Sequence, residues 1–191
     1  MKRILCLALV LMMALSTLAL VACGGEKAPE AGNAPAYADA TEVLTTIFAA
    51  YAEDNKFPVA GGDEANMSFE GPAKYDYTLA DELNAVAKLP ASQAANIEDA
   101  ATALHAMNAN SFTSAAYKLV DGADAAAFAA EFKTELDNSR WMCGFPEKFV
   151  VIKTGSYLVT AYGVADIMDY YKTTISAIEG VEVVLEGDIV A

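Results

Sequence analysis

The sequence is short of the side chains from which most catalytic and metal centres are made. Histidine occurs once, at His105, and cysteine three times, at Cys6, Cys23 and Cys143. A zinc site with two or three imidazoles is thereby excluded, as are most histidine-dependent acid–base schemes. Basic side chains are scarce as well: 12 Lys and Arg stand against 26 Asp and Glu, a net charge of −14. A chain this acidic is repelled by phosphate backbones, so no nucleic-acid partner is expected. The sequence contains no Gly-rich phosphate loop, EF-hand loop, Cys-x-x-Cys pair or Gly-x-Ser-x-Gly elbow. No catalytic residue, metal site or cofactor is expected, and the protein reads as a non-enzyme.

What is present is clearest at the N-terminus. Lys2 and Arg3 precede an almost unbroken apolar run from Ile4 to Val21, the pattern of an export signal. The run ends in Leu20-Val21-Ala22-Cys23, which resembles the lipobox of bacterial lipoproteins. That resemblance implies cleavage between Ala22 and Cys23 and a diacylglyceryl thioether on Cys23, its acyl chains of the palmitate kind. The stretch from Gly24 to Pro35 is Gly, Pro, Ala and charge with no basic stop-transfer cluster, and reads as a flexible tether. The organisation expected is a signal peptide at 1–22, lipidated cysteine and tether at 23–38, and one extracytoplasmic domain at 39–191. Loss of 1–22 removes two bases and no acid, leaving a net charge of −16. The domain is then repelled by anionic lipid, so membrane attachment rests on the lipid anchor. Only Cys143 remains as a thiol, and no intramolecular disulfide can form.

Along the domain, Asp39-Ala40-Thr41-Glu42 resembles a capping box, and Val43, Leu44, Ile47, Phe48 and Tyr51 form one apolar stripe. A helix over about 40–53 follows from this spacing. Residues 54–78, with Pro58, Gly61-Gly62 and Gly71-Pro72, read as a long surface excursion. A short helix is predicted over 79–89, closed by Pro90. The Ala-rich stretch 93–107 is helix-prone, with a turn to strand near Leu104. Alternation at Thr113, Ala115, Tyr117 and Leu119 predicts a strand, and Asp124 caps a helix carrying Phe128, Phe132 and Leu136. Phe149 to Ile152 and Tyr157 to Tyr162 flank Gly155-Ser156 as a hairpin. A helix through Val164, Ile167, Met168, Tyr171 and Ile175 stops at Gly180, before a last strand at 181–185. The order βαββαβ over about 111–186 predicts an α+β, ferredoxin-like sandwich with both helices on one face, preceded by N-terminal helices.

The link Arg140-Trp141-Met142-Cys143-Gly144-Phe145-Pro146-Glu147 gathers the sole tryptophan, the sole cysteine after Cys23 and the sole arginine after Arg3. Arg140, Trp141, Cys143 and Phe145 are therefore a candidate recognition patch. A packed corner, with Trp141 and Phe145 closing the sandwich and Cys143 buried as a small apolar residue, is the competing expectation. Tyr75, Tyr77, Tyr162, Tyr170 and Tyr171 make a second aromatic set. The acidic pairs Glu53-Asp54, Asp63-Glu64, Asp81-Glu82 and Glu98-Asp99 read as solvated surface, since adjacent helical residues do not share a face.

Asn110 to Tyr117, the Ala/Phe-rich helix, the link 140–148 and Tyr157-Leu158-Val159, taken with the lipobox, resemble a family of small uncharacterised lipoproteins of clostridia and related Firmicutes. Some of its members bear the label of bacteriocin-transport accessory protein. The resemblance implies a cell-surface accessory role, on the outer face of a Gram-positive cell membrane, and supplies no catalytic residue. The function expected is a membrane-anchored lipoprotein whose domain binds a protein, peptide or small ligand, with an export-related role as one form of it. The alternative is a thiol-dependent enzyme or redox protein using Cys143, with His105 or a carboxylate as base. That reading requires an exposed Cys143.

Overall fold

The computed structural model describes residues 36–190. The expected signal peptide, the cleavage site and the lipid-bearing Cys23 lie outside the described residues. Helix α1 (Ala40–Ala49) begins where Asp39 accepts from the Glu42 backbone N–H at 2.8 Å, as its capping pattern predicts. Two short strands, β1 (Val59–Ala60) and β2 (Ala73–Tyr75), lie in the expected excursion and precede helix α2 (Ala80–Ala87). Strand β3 (Ile97–His105) leads to β4 (Phe112–Leu119), helix α3 (Ala125–Asn138), the hairpin β5 (Lys148–Thr154) and β6 (Tyr157–Gly163), helix α4 (Ala165–Ser176) and β7 (Val181–Asp188).

The strands form one antiparallel sheet in the order β1-β3-β4-β6-β5-β7, with β2 pairing β3 beside β1. The fold is α+β. It departs from the ferredoxin-like sandwich in two respects, although the βαββαβ order is present. Strand β7 pairs with β5 at the sheet edge, whereas in that sandwich the last strand lies beside the first; here β3 occupies that place along β4. The helices also divide between the faces. Met168, Tyr171 and Ile175 of α4 pack with α1 on the face that carries Phe112, Val150 and Ile152. Phe128, Phe132 and Leu136 of α3 pack with α2 on the face that carries Tyr117, Phe149 and Val151.

Connectivity explains the division. Strands β4 and β5 run parallel with β6 between them, and β6 and β7 run parallel with β5 between them. Both crossovers step the same way across the sheet, but from strands of opposite direction. Right-handed crossovers must then place α3 and α4 on opposite faces.

From Ile97 to His105 the Ala-rich stretch is a strand, not a helix, preceded by a 3-10 helix over Ala91–Asn96. Ala100, Ala101 and Ala103 are fully buried between helices on both faces of β3, and this packing overrides alanine's helix preference. Tyr37, expected in the tether, packs edge-on against Tyr157 at 6.0 Å. The Ala40 N–H donates to Asp99 at 2.8 Å, so the chain enters the domain at the hairpin end of the sheet. Among the described residues no helix is long and apolar enough to cross a membrane.

Candidate functional site

The opposite end of the sheet carries the longer connections: 56–72, the β3–β4 turn at 106–111 and the link 139–147. They are held by specific polar contacts. Asp63 is buried, and its carboxylate accepts from the backbone N–H groups of Ala65, Asn66 and Asp76 and from the Asn66 side chain, at 2.6 to 3.0 Å. Burial pushes the Asp63 carboxyl up, but these hydrogen bonds outweigh it and hold the group below the usual carboxylate range. Gly61 lies so close to β3 that a Cβ there would sit 2.2 Å from the Thr102 carbonyl oxygen. The excursion is thus a fixed structure built around a buried acid.

The link is fixed from the β3–β4 turn. Asn110 Nδ2 donates to the Met142 carbonyl at 2.8 Å and to that of Gly144 at 3.2 Å, while Asn108 Nδ2 donates to the Cys143 carbonyl at 2.9 Å. Three successive carbonyls are satisfied by two asparagines. Cys143 adopts φ 63° and Gly144 φ 131°, turning the chain so that those carbonyls face the turn.

Within this frame the four sequence-predicted patch residues have different surroundings. Trp141 is half-buried, its ring 5.4 Å from Tyr162 with the Lys88 ammonium 5.2 Å from its centroid. Arg140 is exposed. Phe145, expected to close the sandwich, is instead exposed, as is Met142. Cys143, expected to be buried, is exposed as well. The asparagine clamp draws the backbone inward and leaves these side chains outside. His105 stacks on Phe57 with ring centroids 5.1 Å apart, and its Nδ1 accepts from the Met107 N–H at 3.2 Å. The tyrosine set divides between the faces: Tyr170 and Tyr171 belong to the α1–α4 side, Tyr75 and Tyr162 to the α2–α3 side. Burial pushes the Tyr162 phenol up to about 12, and its hydroxyl donates to the Val86 carbonyl at 3.1 Å.

Met67, Phe69, Met107, Met142 and Phe145 are between 58% and 82% exposed, and all five lie on these connections. Three neighbouring cavities run between them. One of about 380 Å³ is walled by Phe48, Tyr51, Phe57 and Phe69. A second, of about 340 Å³, shares Phe69 and adds Met67 and Met107. The third, of about 420 Å³, shares Leu104 and Ala109 with the second and is bounded by Lys88, Arg140, Trp141 and Met142. Among the described residues no three His, Cys, Asp or Glu side chains are grouped as a metal site would need. Sequence reasoning missed Lys88, Asn108 and Asn110. Asn-x-Asn beside a strand start was the available signal for the clamp, while nothing local joins Lys88 to Trp141.

Compared with models of known protein families, with curated proteins and with solved structures, the chain matches none.

Proposed function

We propose that the chain is a bacterial lipoprotein, anchored through Cys23 to the outer face of the cell membrane, whose domain binds a partner and performs no chemistry. The observation that supports this reading is the exposed apolar rim of Met67, Phe69, Met107, Met142 and Phe145 at one end of the sheet, with the chain entering at the other. Met67, Phe69 and Met107 line one cavity, and apolar surface gathered in this way is characteristic of binding sites. The described chain begins at the hairpin end, away from that rim, and anchoring raises the local concentration of the domain. A protein or peptide of the cell surface, met in an export-related accessory role, is the partner class that accords with the likeness to clostridial lipoproteins.

The test uses the exposed Cys143 as a handle. A photo-crosslinker on this thiol captures a partner from intact cells, and Met142→Ser with Phe145→Ser reduces capture by about tenfold. Cys23→Ala abolishes lipid labelling and blocks cleavage, so the chain keeps its apolar run 4–21 and migrates at higher mass. Capture that is indifferent to Met142 and Phe145, or lipid labelling that persists in the Cys23→Ala chain, would sink the reading.

The exposure of Cys143 is one specific observation in favour of the thiol reading. Against it, the His105 ring is engaged by Phe57 and Met107, and the Glu147 carboxylate accepts from the Ala165 N–H at 2.8 Å. A thiol-dependent activity lost in Cys143→Ser is the result that would favour it.

A further inference from the structure

We propose that the cavity between α2 and the link 140–142 binds the carboxylate of an apolar acid, held by Lys88 and Arg140 over the Trp141 indole. This rests on the binding reading of the loop end and names a ligand chemistry for part of it.

The first ground is a local inversion of charge. In a chain with more than twice as many acids as bases, this cavity is bordered by two cations and by no carboxylate. Of the other described lysines, those at 56, 118, 133, 148 and 172 each lie within an ion pair, while Lys74 and Lys153 are unpaired and exposed to solvent on strands β2 and β5. Neither Lys88 nor Arg140 forms an ion pair among the described residues. The acid nearest in influence is Glu135, and one of its oxygens accepts from Asn84 Nδ2 at 3.4 Å.

The second ground is unused hydrogen-bonding capacity. The Trp141 indole N–H is buried and has no acceptor. Such a donor is costly to leave unmade, and an entering acceptor recovers that cost only where the ring turns its N–H toward the cavity. Lys88 is held over this ring from a residue at φ 59°. Burial lowers the tendency of Lys88 to carry its proton, ahead of the opposing field of Glu135. A bound carboxylate restores the charged form and is favoured in return. The remaining wall, with Val86, Leu104, Met142 and the Tyr162 ring, suits an apolar body. The Tyr162 hydroxyl donates to the Val86 carbonyl, so the charged donors of the cavity, Lys88 and Arg140, are the ones left for an anion. The first cavity offers no such set: its Lys56 pairs with Glu53, and Glu70 lies in its wall.

Trp141 is the only tryptophan in the chain, so its indole gives a single ¹H–¹⁵N cross-peak and a single emission. The full chain in neutral detergent is titrated with N-acetyl-phenylalanine and, separately, with its uncharged amide. The acid should move the cross-peak and quench the emission with millimolar saturation, and the amide should need about tenfold more. Lys88→Met and Arg140→Gln should each weaken the acid about three- to tenfold while leaving the amide curve in place. Simple damage to the cavity would move both curves. A short peptide ending in phenylalanine separates two sources of the same chemistry: it binds more tightly than the acid if the ligand is a chain terminus, and no better if it is a free acid. Superimposed curves for acid and amide overturn the carboxylate site but leave apolar binding intact. Silence from both up to about 50 mM overturns it too, and capture through Cys143 then decides the broader reading alone.

Discussion

The two ends of the seven-stranded sheet share the same central strands and differ in what they leave uncovered. At the hairpin end, Gly155 and Ser156 close β5 onto β6 between the paired Thr154 and Tyr157. There Tyr157 and Thr154 are buried, and Lys118 pairs with Glu98. At the loop end, six large apolar side chains, the five of the rim and Val190 in the tail, are more than half exposed. Core packing accounts for the first end. It does not account for the second, because the same connections are rigidly held by Asp63, Asn108 and Asn110 and still present apolar side chains to solvent. Binding is therefore best sought where fixed backbone and exposed apolar surface coincide.

The largest effect expected from breaking this contrast is at Gly163, where β6 ends at the loop end. A Cβ there would meet the Ser111 carbonyl oxygen at 2.3 Å, and the Val164 N–H donates to that same oxygen at 3.0 Å. Gly163→Ala should cost about 3 kcal/mol or more, seen as a fall of roughly 6–12 °C in Tm. The control is Gly122, in the turn after β4 at the other end, with φ 83° and open space around it. Gly122→Ala should cost about 1 kcal/mol. Equal losses at the two sites would mean that the close approach at Gly163 is relieved by movement of the β3–β4 turn, and that the loop end is not rigid.

A smaller, more local effect is expected at Asp63. Asp63→Ala leaves the Ala65 and Asp76 N–H groups without their acceptor and the Asn66 N–H with the Asp63 carbonyl alone, and should cost about 2–4 kcal/mol. Hydrogen exchange should accelerate over 61–76 before the central strands respond. The pH dependence has a fixed sign. Asp63 titrates below its unfolded value in the folded chain, so its contribution is complete above about pH 3.9 and is lost as the pH falls through the folded value. Acid should open the excursion while the Gly155-Ser156 end stays protected. Exchange over 61–76 that is unchanged between neutral and acid pH would show that Asp63 does not hold it.

How much of this was legible follows from the range of the interactions. Local signals read correctly: the Asp39 cap, the Gly155-Ser156 turn and the helical stripes of α3 and α4 are all set within a few residues. The division of helices between faces was written in the sequence as well, since Phe149-Val150-Val151-Ile152 is apolar on both faces and must be covered twice. The expectation of a one-faced sandwich failed because the position of β7 depends on β3, which itself read as helix. Alanine's propensity concealed β3, and only packing on both sides makes a strand of it. The composition of the link marked Arg140, Trp141, Cys143 and Phe145. Their exposure depends on Asn108 and Asn110, more than 30 residues away in the chain, and Lys88 joins Trp141 only through space. A site assembled by contacts of that range is invisible to periodicity.

The smallest effect expected is at Cys143, and it sharpens the contrast most directly. A non-glycine residue at φ 63° carries about 1 kcal/mol of strain, and the side chain has no packing to lose. Cys143→Gly should therefore stabilise the domain by about 0.5–1 kcal/mol, the gain being limited by the greater freedom of glycine in the unfolded chain. Cys143→Ser keeps the strain and should leave Tm unchanged. Alkylation separates exposure from stability: the native thiol should react within about a factor of two of its rate in denaturant, since nothing covers it. Native protection of tenfold or more would mean that the link folds over its own thiol, and the rim would then be a packed corner, not a binding surface. Native reaction faster than in denaturant would mean that the surroundings activate the thiolate, and would move the weight of the argument from binding to Cys143 chemistry.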